Sequence, residues 1–332
     1  MDNVCLDQNY STTRLLSTEK PLIDVNSNNI SSAQLFSGEG EERKGEGGLR
    51  TQGYFKHSYK KQNDQWFVCD ANGQTGSPIQ LTLDSDELPL ITVITVVFNG
   101  EKFLEETIQS VTSQTYPNVE YIIIDGGSTD GTLDVIRKYE HVIDYWVSEK
   151  DRGIYDAMNK GVNLSCGVWI NLMNGGDVLN GTSIFELVNS NDKRIEIIFS
   201  DTIFINKNKS TISKASIESK SFIHQSIIYR RDIHKKYGPY LSFSKVTISD
   251  YLFFSNVLKK DNSIWIDHPI SIYRIDGVSS KPSHYIQKLA VNLMCSHSSV
   301  PKVVVQILYK ISLQIFYYPI KRIYLKLSVK NG

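Results

Sequence analysis

Disulfide chemistry has little to work with here: the 332 residues include four cysteines, Cys5, Cys69, Cys166 and Cys295, with no CxxC pair and no histidine at metal-ligand spacing. They read as isolated thiols in a reducing compartment. No run approaches the roughly 18 apolar residues of a spanning helix. The first twenty residues, MDNVCLDQNYSTTRLLSTEK, lack the basic start and apolar segment of a secretion signal. Net charge is absent too. With 36 basic and 36 acidic residues no global field recruits nucleic acid, which leaves the expected partners. A cytoplasmic globular enzyme is the expectation, since a chain 40% hydrophobic can bury one substantial core.

Residues 1–88 are rich in Ser, Asn, Gly and charge, and SGEGEERKGEGGLRTQG is too polar and glycine-laden to build a core. They read as a polar, partly disordered extension, with Trp66 to Asp70 as one strand of a small hairpin. From Pro89 the texture changes. LITVITVVF is a β-branched run of the kind buried on both faces of a parallel sheet. EKFLEETIQSVTSQ follows as a helix with Leu104, Ile108 and Val111 on one face, then YIIID as a second strand. TLDVIRKYEHV repeats the helical spacing at Leu133, Ile136 and Tyr139, and IDYWVSE is a third strand. RGIYDAMNKGVNL gives a helix with Ile154, Met158 and Val162 on one side, GVWINLM a fourth strand, and EIIFSDTIFINKNKSTIS a hairpin turning at residues 206–209. This alternation predicts an α/β domain with a Rossmann-like, mostly parallel sheet flanked by helices.

In such sheets ligands sit beyond the carboxyl ends of the strands. There the sequence places Phe98-Asn99-Gly100, Asp125-Gly126-Gly127, Ser148-Glu149-Lys150-Asp151 and Asn174-Gly175-Gly176-Asp177. Each piece alone has a structural explanation: Asn99-Gly100 is a common turn, and Ser128, Thr129 or Asp130 can cap a helix. Jointly they aim carboxylates at one crevice, where repulsion between Asp125 and Asp177 calls for a cation or a ligand. The glycine-rich turn DGGSTDGT has neither GxxxxGK nor GxGxxG. What remains is a diphosphate neutralised by a divalent metal, with an upstream aspartate reading the nucleoside, that is, a nucleotide-sugar.

VITVVFNGEKFLEETIQSVTSQTYPNVEYIIIDGGSTDGTLDVI, followed by SEKDRGIYDAMNKGV and WINLMNGGDV, resembles the family 2 inverting glycosyltransferases of GT-A fold. The resemblance runs from about Leu90 to Ser280, nearest to the branch that builds bacterial surface polysaccharides. It implies a GT-A glycosyltransferase domain over 89–285. It implies that Phe98, Asn99 and Asp125 contact base and ribose, with Asp130 and Arg152 in the same pocket. The family's DxD metal motif stands here as Asn174-Gly175-Gly176-Asp177, so Asp177 is the one carboxylate ligand for Mg or Mn, and Asn174 can add an oxygen. In TISDYLFFSNVL, Asp250 falls where the family keeps its general base; capping of the helix is the other reading. FIHQSIIYRRDIHKKYGPY resembles the acceptor-side segment, with His224 and Gln225 lining the cleft.

The tail, 286–332, reads as amphipathic helices. From Pro301 onward it carries Lys302, Lys310, Lys321, Arg322, Lys326 and Lys330 and no acid. Two readings stand: an interfacial helix pair at the inner face of the cell membrane, or packing onto the catalytic domain. The expected partners are a nucleotide-sugar donor, a glycan or polyprenyl-linked saccharide acceptor and, on the first reading, a membrane surface. A non-catalytic nucleotide-sugar binding protein and a phosphatase remain as alternatives.

Overall fold

In the computed structural model, residues 3–21, 34–40, 42–69, 75–81, 85–188, 192, 194–206, 209–243, 246–274 and 287–292 are described. The central sheet is organised around β6 (Ile91–Val97), whose seven residues are all buried. It pairs in parallel with β7 (Val119–Asp125) and β9 (Trp169–Asn174), and β7 pairs in parallel with β8 (Tyr145–Ser148). Val93 and Val97 share a core with Leu104, Ile108 and Val111 of α1 (Leu104–Thr112). Ile94 faces the other way: a Cβ added to Gly161 of α3 (Ile154–Leu164) would lie 2.3 Å from its Cγ2. Successive strand residues thus meet different helices, which explains the unbroken apolar run. α2 (Thr132–Lys138) follows β7 and buries Thr132 and Ile136.

Beyond β9 the sheet turns antiparallel. β13 (Ile227–Arg230) pairs antiparallel with β9 and with β11 (Ile197–Asn206). β14 (Ser263–Arg274) lies parallel to β11 and antiparallel to β10 (Val178–Leu179). The expected hairpin is β11 with β12 (Lys209–Ser213), closing at Asn206 and Lys209. The parallel part is therefore the nucleus of a mixed sheet. α4 (Ile233–Tyr237) and α5 (Ser249–Val257) fill the segment between β13 and β14.

Three expectations need correction. Ile154 is 40% exposed; the buried side of α3 is carried by Tyr155, Met158 and Val162, so the stripe begins one residue later. Trp66–Cys69 belongs to more than a hairpin. β2 (Ser58–Gln62), β3 (Gln65–Cys69), β4 (Thr75–Ile79) and β5 (Glu87–Leu88) form a four-stranded sheet with its own core of Tyr59, Trp66, Val68, Ile79 and Leu88. Nor is the described part of 1–88 an appendage, since β1 (Gly45–Gly47) adds antiparallel to β8. Residues 1–277 form one compact unit and 278–332 a second, of which only the helical residues 287–292 are described.

A buried ion pair ties this N-terminal segment to the sheet. Arg50 Nη2 donates to Glu120 Oε1 at 2.6 Å, both side chains at most 2% exposed. Arg50 also donates to the carbonyls of Leu164 and Leu35, while Glu120 accepts from Thr92 Oγ1 and Cys166 N. Burial opposes the charge on Glu120, but the guanidinium and these donors outweigh it and hold the carboxyl below its ordinary range. Removing one partner of such a pair strands the other. Arg50→Met is expected to cost about 3–5 kcal/mol in urea unfolding at neutral pH, and adding Glu120→Leu should restore much of it. A single variant within about 1 kcal/mol of the parent contradicts this role.

Candidate active site

The register of the parallel strands sets the geometry. Val97 is level with Asp125, Asp125 with Ser148, and Val96 with Asn174, so four strand ends share one edge as expected. Asp125 is fully buried. Its carboxylate accepts from Ser128 N at 3.0 Å, from Ser148 Oγ at 2.6 Å and from Ser128 Oγ. Ser128 Oγ in turn accepts from Asn99 N at 2.7 Å, and Asn99 Oδ1 accepts from Thr129 N at 2.8 Å. Asn99 takes a positive φ of 52°, a strained state for which Asn is among the tolerated residues. Asp125 therefore locks the turns after β6 and β7 against each other, and Phe98 is left 63% exposed at their edge.

Two expected members of this pocket make local contacts. Asp130 accepts from Thr132 N at 3.1 Å and from Glu101 N at 3.2 Å, so it organises the entry to α2. Arg152, 77% exposed, pairs with Asp156 at 2.6 Å one turn along the chain. Their i,i+4 spacing across the start of α3 suits such a pair.

The loop after β9 is tied down from several elements. Asp177 Oδ2 accepts from Gln225 Nε2 at 2.6 Å and Oδ1 from Arg274 N at 3.0 Å. Thr107 Oγ1 donates to the Asp177 carbonyl and accepts from Gly176 N. Arg274 Nε donates to the Gly176 carbonyl at 2.9 Å, and its guanidinium pairs with Glu106 and lies 4.9 Å from the centre of the Phe103 ring. Asp125 and Asp177 thus each have donors of their own, and the repulsion expected between them is relieved within the protein. Two buried amide oxygens nearby, Asn174 Oδ1 and Gln225 Oε1, have no hydrogen-bond partner. An orphaned hard oxygen beside a carboxylate suits a divalent cation. Among the described residues no group of three or more His, Cys, Asp or Glu side chains could hold a metal ion, so Asp177 and Asn174 fit one that takes further oxygens from a phosphate ligand.

On the other flank, Asp250 opens α5. Its Oδ2 lies 2.7 Å from His224 Nδ1, and its Oδ1 accepts from the Tyr155 hydroxyl at 2.5 Å. Burial works against the charge, but the contacts from His224 and Tyr155 prevail and hold the carboxyl down at about 2. His224 is 10% exposed, and its Nε2 is buried without a partner. His224 and Gln225 are consecutive, so one dipeptide holds Asp250 on one side and Asp177 on the other. Sequence reasoning missed Tyr155 and Arg274, and it named Ser128 and Ser148 without their role as donors to Asp125. Arg274 ends a strand, the signal that could have found it; Tyr155 was hidden by a helical stripe counted from Ile154.

Residues 92–250 match the family model for glycosyl transferase family 2. The chain is 28% identical over 164 residues to a PGL/p-HBAD biosynthesis glycosyltransferase of Mycobacterium bovis, covering 46% of this chain and 63% of that protein. It is 35% identical over 92 residues to the putative teichuronic acid biosynthesis glycosyltransferase TuaG of Bacillus subtilis, covering 27% and 36% respectively. It thus spans less than two thirds of these relatives. Among solved structures, Staphylococcus aureus TarS 1–349 superposes with a TM-score of 0.50 over 61% of this chain and 64% of that one, at 16% identity, which shows a shared fold. The chain thus carries a segment similar to glycosyl transferase family 2 over residues 92–250, just under half its length, on a fold shared with TarS.

An aromatic cluster holds α5, and hence Asp250, in place. Phe253 stacks on His234 at 4.7 Å and meets Tyr240 at 4.8 Å, while Phe254 packs edge-on to Tyr229. His234 Nδ1 faces the Gly238 carbonyl and Nε2 the Tyr229 hydroxyl. Burial pushes the imidazole from 6.5 down to about 4, so the fold holds it neutral. Its contribution to stability is complete above pH 6.5 and is lost as pH falls from there to about 4. The expected slope is about 1.4 kcal/mol per pH unit. His234→Phe should reduce the slope of the unfolding free energy in that window by this amount; an unaltered slope contradicts the assignment.

Proposed function

We propose that the protein transfers a sugar from a nucleotide-diphosphate-sugar to a hydroxyl of a glycan or polyprenyl-linked saccharide, with inversion at the anomeric carbon. The observation that carries this reading is the His224-Gln225 dipeptide. Inverting displacement needs a proton acceptor on one face of the sugar and charge stabilisation for the departing diphosphate on the other. Adjacent residues, with Cα atoms about 3.8 Å apart, reach toward both: His224 to Asp250 and Gln225 to Asp177. Exposed Phe98 offers a face on which the nucleoside base stacks, and Asn99 and Asp125 shape the pocket beside it. A Mg or Mn ion held by Asp177 and Asn174 would act as a Lewis acid toward the diphosphate. The proton leaves the acceptor hydroxyl at the His224–Asp250 pair.

The relatives named for teichuronic acid and PGL/p-HBAD biosynthesis support a place in surface polysaccharide or glycolipid assembly. No helix among the described residues is long and apolar enough to cross a membrane. The basic, acid-free residues 301–332 lie outside the described residues; on this reading they hold the enzyme at anionic lipid as a peripheral protein of the cytoplasmic face. Deletion from residue 301 should abolish sedimentation with phosphatidylglycerol vesicles, and full-length protein that never sediments with them refutes the attachment.

Release of nucleoside diphosphate from a panel of UDP-, GDP- and dTDP-linked hexoses, with and without manganese, tests the activity. Asp177→Asn keeps the side-chain volume but removes the negative charge, and it should cut turnover by about 100-fold or more while the protein stays folded. Full activity of this variant in manganese would show that the leaving-group site is elsewhere. Donor binding without any release would make the protein a nucleotide-sugar binder, and phosphate release from a small phosphoester would make it a phosphatase.

A further inference from the structure

We infer that Lys44, in a segment outside residues 92–250, is a positioning residue of the donor pocket: its ammonium fixes the two peptide planes that hold Asp125 and Asn99 and thereby sets the affinity for the nucleotide-sugar. This rests on the glycosyltransferase reading, which puts the nucleoside beside those two side chains. Lys44 stands in ERKGEGG, a stretch that composition alone marks as too polar for a core. Its Nζ donates to the Gly127 carbonyl at 3.0 Å and to the Ser128 carbonyl at 2.8 Å.

A trans peptide unit is planar, so its carbonyl and its N–H point in opposite directions. The unit that carries the Gly127 carbonyl also carries the Ser128 N–H, which donates to Asp125 Oδ2 at 3.0 Å. The next unit carries the Ser128 carbonyl and the Thr129 N–H, which donates to Asn99 Oδ1 at 2.8 Å. One ammonium therefore holds the outer ends of two planes whose inner ends hold Asp125 and Asn99. Turning either plane over would break both of its ends at once. The backbone has the freedom to do so, because Gly127 sits at a φ of 84°, where glycine is at ease, and Gly126 precedes it. Lys44 is itself anchored. Its backbone N–H donates to the Ser148 carbonyl at 2.8 Å, and Gly45 pairs with Ser148 as β1 begins. Arg43 pairs at 2.7 Å with Glu149, whose carboxylate is 4% exposed and also accepts from Lys160 of α3. Glu149 N in turn donates to the Asp125 carbonyl at 3.1 Å. The segment is thus fastened to the sheet edge by its backbone and by a buried carboxylate, and the Lys44 ammonium is what it presents to the turn after β7.

Three variants of the full chain decide the matter, each measured against the panel of UDP-, GDP- and dTDP-linked hexoses. Lys44→Met keeps the aliphatic stem and the backbone bonds but removes the charged donor. It should raise the donor's KM, and its Kd in calorimetry, about tenfold, with kcat within about twofold of the parent. Lys44→Arg keeps a cationic donor and should restore most of the affinity. Glu42→Gln breaks the segment's exposed ion pair with Lys150 and serves as the control, with both constants within about twofold. Amide hydrogen exchange reads the turn without any donor. In Lys44→Met the Ser128 and Thr129 amides should exchange about tenfold faster or more, while those of β6 keep the parent's rates; a general loss of stability would speed both. Donor affinity of Lys44→Met within about twofold of the parent, unaltered exchange at Ser128 and Thr129, or an equal loss in Glu42→Gln overturns the assignment. A parent that neither binds nor turns over any donor of the panel overturns the transferase reading instead, and exchange alone then decides whether Lys44 fixes the turn.

Discussion

A carboxylate inside a strand of a fully buried sheet must be matched, and in this molecule the match comes from outside the sheet. Glu120 begins a strand with no exposed residue, and its partner, Arg50, lies seventy positions earlier in the chain. The pair binds the N-terminal segment to β6, through Thr92, and to the end of α3, through Leu164 and Cys166. With Arg50 in place β1 can add to the sheet edge at β8, and β8 ends in Ser148, a donor to Asp125. A polar contact at the bottom of the sheet is thus coupled, strand by strand, to the turn geometry at the top.

The same economy organises the crevice. Buried polar groups are costly unless paired, about 1–3 kcal/mol for each unmet donor or acceptor. Most here are paired: Asp125 with two serines, Asp177 with Gln225 and Arg274, Asp250 with His224 and Tyr155. Of the ten buried side-chain atoms without a hydrogen-bond partner among the described residues, three, on Asn174, His224 and Gln225, lie on the residues that hold or flank Asp177 and Asp250. Unmet acceptors in an otherwise satisfied neighbourhood mark where a ligand or cation completes the structure.

Much of this was legible in the sequence, for a reason that can be named. The strand–helix alternation from Ile91 to Asn174 follows from β-branched runs and helical spacing, local signals that the packed sheet obeys. The candidate dipeptide His224-Gln225 and Asp250 came from a resemblance, and the structure brings His224 and Asp250 into contact. What escaped was long-range pairing. Residues 37–53 looked too polar and glycine-laden for a core, and no local rule says that Arg50 meets Glu120. Glu120 itself was the available clue, an acid leading directly into YIIID. Asp130 and Arg152 each have a partner within four residues, Thr132 and Asp156, a local pairing that the sequence spacing already offered.

The reduced metal motif looks different once its surroundings are considered. A second carboxylate at position 174, three residues before Asp177, would add a negative charge to the same loop. Asn174 supplies an oxygen without that charge, while Gln225 and the Arg274 backbone satisfy Asp177 in the absence of metal. The loop can then hold its shape empty, fixed by Thr107 to α1 and by Arg274 to the last strand. A site so built has less electrostatic pull on a free cation and gains it mainly when a diphosphate arrives with its own oxygens. On the proposed reading, affinity for metal and affinity for donor would be coupled, and the missing carboxylate would change the order of assembly more than remove the site.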